Sequence, residues 1–184
     1  MTEQQPTLQA DRLTLRPFTL DDAPLVQRLA GARAVADTTL AIPHPYPDGA
    51  AEEWIRGHAG QYAAGTLANF AVVSRSEGWL VGAIGLVIEP AHVRAELGYW
   101  IGEPYWGRGY ATEAGRAVLG FAFDDLGIHR IQARHLTRNP ASGRVMQKLG
   151  MTLEGVHRHA AQKWGIFEDV AMYAILTTEW PGGR

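Results

Sequence analysis

The stretch Trp106-Gly107-Arg108-Gly109-Tyr110-Ala111-Thr112-Glu113-Ala114 sets two glycines between a strand-like segment, Ala95 to Gly102, and a helix-like one that runs from Thr112 to Leu126. A helix entered through glycines presents backbone N–H groups at the positive end of its dipole, and such a place binds phosphate. Gly107 and Gly109 let the backbone come close to a diphosphate, and Arg108 adds a charge beside it. The dinucleotide pattern G-x-G-x-x-G fails for want of a further glycine, and the P-loop pattern fails because no Gly-Lys-Ser/Thr closes the turn. A plain strand-to-helix turn is the competing reading. The chain has no cysteine, which removes disulfides, thiolate metal sites and covalent intermediates on sulfur. Group transfer here is direct, or uses another nucleophile.

These residues need a scaffold, and the patterning supplies one. Arg12 to Phe18 alternates with Leu13 and Leu15 on one face, as a strand ending near Pro17. Thr19 with Asp22 resembles a capping box opening a helix through Leu29, with Gly31 ending it. Ala41 to Gly49 carries three prolines and reads as a loop; Ala50 to Ala64 reads as a second helix. Phe70 to Ser74, Leu80 to Glu89 and Ala95 to Gly102 form an antiparallel meander. After the glycine turn comes a helix to Asp125, closed by Leu126-Gly127, then a strand from Arg130 to Thr137. Asn139-Pro140 is a helix start, with asparagine at the cap and proline at the first helical position, and Gly150 is its stop. Met151 to His157 and Glu168 to Leu176 close the chain as strands, with Ala160 to Phe167 as the turn between them. The expectation is a single α+β domain over residues 1–184, with helices interleaved in a largely antiparallel sheet.

At 184 residues the chain is long enough for one well-buried core. With 46% hydrophobic and 20% charged residues it is globular rather than disordered, and no apolar run reaches the length of a bilayer span. A formal charge of -2 offers no general basic surface for nucleic acid. The first residues lack a signal peptide's positive start and apolar core, so cytoplasmic residence is the default. Nothing in Trp180 to Arg184 marks a dimer contact, so monomer and homodimer both stand.

Taken in order, Arg12-Leu13-Thr14-Leu15-Arg16-Pro17, Glu96-Leu97-Gly98-Tyr99-Trp100-Ile101, the glycine turn, Asn139-Pro140-Ala141-Ser142, Leu149-Gly150-Met151 and Asp169-Val170-Ala171-Met172-Tyr173 resemble the GNAT superfamily of acetyl-CoA-dependent N-acetyltransferases, in its RimJ/RimL-like branch. The resemblance implies a mixed sheet of about seven strands, helices on both faces and a V-shaped splay that admits the cofactor. It implies that Gly107, Arg108, Gly109, Tyr110, Ala111 and Thr112 cradle the diphosphate of acetyl-CoA, while Tyr99, Trp100 and Ile101 offer strand-edge hydrogen bonds to the pantetheine arm. The family turn begins with Gln or Arg; here Trp106 stands in that place.

Acetyl transfer to an amine needs a neutral nitrogen, stabilisation of the oxyanion and support for the departing thiolate. By resemblance Glu96 is the candidate base, against a structural role pairing with Arg94 or Arg130. The N–H of Trp100 or Ile101 is the oxyanion donor. Many relatives serve the thiolate with a tyrosine, where this chain has Met146; the RimL-like branch uses a serine, here Ser142, which a helix start also explains. Asn139 caps a helix, and by resemblance also contacts pantetheine or an ordered water. Where some ribosomal-protein acetyltransferases carry a glutamate base, this chain has Ala161, leaving Glu96, Glu168, Asp169 or solvent.

His157 and His159 invite a zinc reading, but no third ligand is spaced to complete it, and no metal is expected. Trp54, Trp79 and Trp164 are core residues or walls of an acceptor pocket. The acceptor implied first is a protein N-terminal α-amine; small amines such as polyamines, amino acids or antibiotics follow, the former favoured by any acidic cleft around Glu52, Glu53, Glu96 and Glu168. A non-catalytic acyl-CoA-binding module, motivated by Met146 and Ala161, and a ligand-free structural domain are the competitors.

Overall fold

A computed structural model describes residues 4–182. Its strands are β1 (Leu8–Gln9), β2 (Leu13–Arg16), β3 (Leu67–Ser74), β4 (Leu80–Glu89), β5 (Arg94–Ile101), β6 (Arg130–Leu136), β7 (Thr152–Lys163) and β8 (Ile166–Leu176). The helices are α1 (Ala23–Ala30), α2 (Arg33–Asp37), α3 (Ala50–Arg56), α4 (His58–Ala63), α5 (Tyr110–Gly120) and α6 (Pro140–Lys148). One sheet runs in the order β1-β2-β3-β4-β5-β6-β8-β7. Every neighbouring pair is antiparallel except β5 with β6.

That parallel pair is the feature that shapes the molecule. It joins only Arg94, Ala95 and Glu96 to Arg130, Ile131 and Gln132. Beyond Glu96 the strands part: β5 stays on β4 as far as Ile101, while β6 follows β8 to Leu136. The V-shaped splay is therefore present, with Leu97 to Ile101 forming an internal sheet edge.

Cross-strand register assigns the two faces, since residues directly opposite point the same way. Asn69, Gly85 and Gly98 make one row, flanked by Val87 with Glu96 and by Ala83 with Trp100. Helix α4 packs on this face through His58, which contacts Asn69. The opposite face carries Phe70, Ile84 and Tyr99. There α5 continues into a wide π-type turn, Phe121–Asp125, whose Phe121 ring meets Phe70 at 5.7 Å. Ala114, Val118 and Met146 are buried with them.

Local chemistry accounts for the helix starts. The Asp22 carboxylate accepts from the Thr19 N–H at 2.9 Å and takes both Arg16 guanidinium nitrogens at 2.8 and 2.7 Å, so the 3-10 turn ahead of α1 is fastened to the end of β2. Burial works to raise the Asp22 pKa, and the Arg16 and Thr19 hydrogen bonds outweigh it, leaving the carboxyl below its ordinary value.

Three expectations need correction, and one helix has no sequence expectation. The sheet has eight strands because Leu8–Gln9 pairs with Thr14–Leu15, a segment too short to show a period. The helix read across Ala50 to Ala64 is two helices meeting at Gly57, a residue that weakens a helix interior. Helix α2 has five residues and no apolar stripe to announce it. The turn read over Ala160 to Phe167 is narrower: β7 reaches Lys163 and β8 begins at Ile166, leaving Trp164-Gly165, both with positive φ (50° and 83°), as a two-residue hairpin tip. The alternation fails there because β7 is an exposed edge strand with a bulge between His157 and Ala161.

The far end of this hairpin is fastened to the loop after α2. The buried Lys163 ammonium donates to the Ile42 carbonyl at 2.9 Å. Arg138 pairs with Asp37 at 2.9 Å and with Glu168 at 2.7 Å.

Candidate functional site

A cleft of about 850 Å³ opens at the splay, running from the loop around Thr38 to Pro43 across Asn69 and Glu96 to the glycine turn and α6. At its turn end, Gly109 adopts φ 81° as the residue before α5, a conformation that L side chains reach only with strain. No side chain caps that helix, so its first N–H groups are left without a side-chain partner at an end that lines the cleft through Gly107, Gly109, Tyr110, Ala111 and Thr112. Arg144 and Lys148 of α6 add positive charge to the lining; the sequence reading had passed over both. Their signal was a four-residue spacing on one face of the helix.

Arg108 is not in the cleft wall. Its guanidinium donates to Glu77 at 3.0 Å and to the Pro104 carbonyl at 3.2 Å, and it lies over the Tyr105 ring. From outside the turn, Arg12 donates to the Arg108 carbonyl at 3.0 Å and pairs with Glu113 at 2.6 Å. The indole N–H of Trp106, the departure from the family pattern, donates to the Ile101 carbonyl at 2.6 Å. Side chains here brace the turn, while its backbone faces the site.

The direction of each peptide group on β5 follows from one bond. The Gly102 N–H donates to the Val81 carbonyl of the strand-β4 end at 2.9 Å, and peptide groups alternate in direction along a strand. The N–H of Trp100 therefore faces β4, whereas those of Tyr99 and Ile101 face the open edge. This corrects the expectation for Trp100: its N–H serves the ladder, and only its side chain lines the cleft.

Across the splay the Tyr99 phenol reaches Ser142, oxygen to oxygen at 2.6 Å. Burial pushes the Tyr99 pKa up to about 12, against the lowering effect of the Ser142 hydrogen bond, so the phenol keeps its proton. Asn139 is the cap of α6, accepting from the Ser142 N–H at 3.4 Å, and both residues line the cleft. Sequence had singled out Tyr99 for its backbone; the side-chain partnership needed the distance. Met146 is buried and takes no part.

Glu96 lies on the cleft floor with its carboxylate paired to Arg134 at 2.8 Å and accepting from Gln132 at 3.2 Å. The arginines expected to engage it are elsewhere: Arg94 is on Glu89 and Arg130 on Glu154. Glu168 and Asp169 are committed outside the cleft, to Arg138 and to the His159 N–H. Ala161 sits in β7 opposite Glu168, away from the lining. Of the four carboxylates proposed for an acidic cleft, Glu96 alone lines it, so no acidic concentration forms.

Trp54 is a wall of the cleft; Trp79 instead donates to the Tyr105 hydroxyl at 2.8 Å, and Trp164 is at the hairpin tip. Among the described residues no group of three or more His, Cys, Asp or Glu is placed to hold a metal, and no helix is long and apolar enough to cross a membrane.

Known proteins match this architecture. Residues 12–152 match the family described as Acetyltransferase (GNAT) domain. The uncharacterized N-acetyltransferase YoaA of Bacillus subtilis is 31% identical over 181 residues, covering 93% of this chain and 97% of that one. A solved GNAT-family acetyltransferase from Bacillus anthracis has a TM-score of 0.84 at 28% identity, with 95% of this chain and 100% of that one covered. A RimL ribosomal alpha-N-protein acetyltransferase in complex with coenzyme A has a TM-score of 0.86 at 20% identity, with 93% and 98% covered.

Proposed function

Because the chain belongs to the GNAT acetyltransferase family, and so is an N-acetyltransferase that uses acetyl-CoA, we propose that it acetylates the α-amine of a protein N-terminus. The observation that carries this reading is the cleft's charge: its single lining carboxylate, Glu96, is already paired with Arg134. A site without spare negative charge suits a chain end better than a polycation. Proton balance points the same way, since an α-amine with a pKa of about 7.7–8.0 is far more often neutral at pH 8 than a lysine at about 10.4. The RimL neighbour, named for alpha-N-protein acetylation, is consistent with it.

The residues present fit the cofactor. An uncapped helix start behind a glycine turn suits a diphosphate, Arg144 and Lys148 suit phosphate charge, and the open edge at Tyr99 suits an arm bearing amides, with the Ile101 N–H beside it while the Ile101 carbonyl is held by the Trp106 indole. Bound acetyl-CoA supplies an acetyl thioester, whose carbonyl carbon gains a bond to the amine nitrogen as the bond to sulfur breaks. Glu96, held by Arg134 and Gln132, receives the proton that the amine loses, directly or through water. The N–H of Ile101 at the open edge faces developing negative charge on the acetyl oxygen. The Ser142 hydroxyl donates a hydrogen bond to the departing thiolate, Tyr99, protonated throughout the working range, orients Ser142, and the proton taken up by Glu96 returns through solvent to give the free thiol.

Mass spectrometry of acetyl transfer separates the acceptors. Peptides with a free N-terminus should be acetylated, whereas the same peptides blocked at the N-terminus and carrying an internal lysine should not. Turnover of lysine side chains or spermidine alone would remove this reading.

A further inference from the structure

The row Asn69, Gly85, Gly98 crosses three strands on the cleft face and ends at the splayed edge. Two of its three positions have no side chain. A Cβ at Gly85 would stand 1.8 Å from the Asn69 Oδ1 atom, so that oxygen lies directly over the glycine. A Cβ at Gly98 would meet nothing within 4 Å. The result is a trough with a bare floor, flanked by Val87 and Glu96 on one side and Ala83 and Trp100 on the other. At about 4.8 Å between strands it spans about 10 Å from Asn69 to the edge where the thioester must arrive.

The Asn69 carboxamide is not free to turn. Its Nδ2 lies 3.1 Å from the Nε2 of His58, a residue only 5% exposed. His58 is enclosed by Trp54, with ring centroids 4.4 Å apart at 84°, and by Phe18 at 5.3 Å and 62°. Its Nδ1 is buried without a hydrogen-bond partner. A proton on Nδ1 can rest against aromatic faces, whereas a bare lone pair there would meet only π density. Nε2 is then the acceptor, and it demands the NH2 group of Asn69. Burial, which pushes the His58 pKa down to about 4, keeps the ring neutral and this arrangement intact. The other end of the amide, Oδ1, is thereby directed over Gly85, and no hydrogen bond to it is present among the described residues.

We propose that Asn69 Oδ1 is the acceptor-amine anchor, taking a hydrogen bond from the N–H of a slender primary amine lying along the Gly85–Gly98 trough, and that His58 is the positioning residue that keeps the oxygen facing the amine. The proposal rests on the acetyl-transfer reading and adds the place where the second substrate is gripped. An amide oxygen accepts from an amine in either protonation state, so this grip leaves proton removal to Glu96.

The probes are Ala-Ala-Ala amide and n-butylamine, assayed for CoA release at saturating acetyl-CoA, with the thermal shift given by acetyl-CoA as the check on folding and cofactor binding. Asn69→Ala should raise the acceptor KM at least tenfold for whichever probe the unmodified protein turns over, with a smaller change in kcat and the thermal shift preserved. His58→Phe should reproduce that KM defect, and His58→Gln, whose side-chain oxygen can accept from Nδ2, should recover most of it. A purely structural role for His58 would instead lower kcat and the acetyl-CoA shift together, without recovery by glutamine. An unchanged KM in Asn69→Ala overturns the proposal and leaves acetyl transfer standing. An unmodified protein inert toward both probes and toward N-terminal peptides removes the N-terminal acceptor reading, and the proposal with it.

Discussion

The two halves of the cleft are built from different materials. At the glycine turn the groups proposed to hold the cofactor are main-chain N–H donors, and the side chains that surround them, Arg12, Trp106 and Arg108, are engaged as braces. On the cleft face that carries Asn69 and Glu96 the polar groups are side-chain ones, the Glu96 carboxylate and the Asn69 amide, while the Tyr99 and Ser142 hydroxyls meet on the opposite face. A main-chain site tolerates exchange of its side chains, which is why Trp106 can replace a polar first residue. A side-chain site is rewritten by a single exchange. Cofactor use is accordingly the conservative property of this fold, and acceptor choice the adjustable one.

The sharpest challenge to this contrast is Ser142→Ala, which removes one hydroxyl and should lower kcat about 100-fold while acetyl-CoA still raises the melting temperature. A mutant with wild-type kcat would place the proton source elsewhere. Next, Gly109→Val imposes a Cβ at φ 81°, costing about 1–2 kcal/mol of backbone strain and weakening acetyl-CoA at least tenfold by calorimetry. That is a side-chain change acting through the main chain. Acid titration probes the acceptor half separately. His58 is depressed from 6.5 to about 4, so its contribution to stability is complete above pH 6.5 and is lost as pH falls toward 4. Melting temperatures across that window should therefore fall less steeply in His58→Gln than in the unmodified protein. The smallest effect belongs to Arg108→Ala. Its guanidinium is engaged with Glu77 and Pro104, so acetyl-CoA affinity should change by less than about threefold, and a larger loss would show that this arginine swings into the cleft.

The same division explains what could be read from the chain beforehand. The glycine turn, the strand before it and the Asn139-Pro140 start are local: a few neighbouring residues dictate a turn, an extended run and a cap, and each is where the pattern placed it. The splay is not local. It depends on β5 and β6 pairing over three residues and then choosing different partners, which came into view through family likeness rather than through periodicity. His58 and Asn69 lie in a helix and a strand with no motif linking them, and only the packing of α4 on β3 brings them to 3.1 Å. Glu96 was found, but its partner was misassigned, because Arg94, Arg130 and Arg134 share one face by strand alternation and only geometry shows that the first two are taken by Glu89 and Glu154.

The fastening of the hairpin to the loop after α2 bears on how the site comes into being. Lys163 grips a carbonyl 121 positions earlier, and Arg138 grips Asp37 from 101 positions away. During synthesis the early helices would leave the ribosome long before the residues that secure their loop, just as Arg12 would leave before the Arg108 carbonyl and the Glu113 carboxylate that it braces 96 and 101 positions later. Contacts of such long sequence separation form late. Refolding should therefore regain acetyl-CoA binding and acceptor turnover together and late, after the meander of β3, β4 and β5 has formed, so that the empty sheet precedes both halves of the cleft.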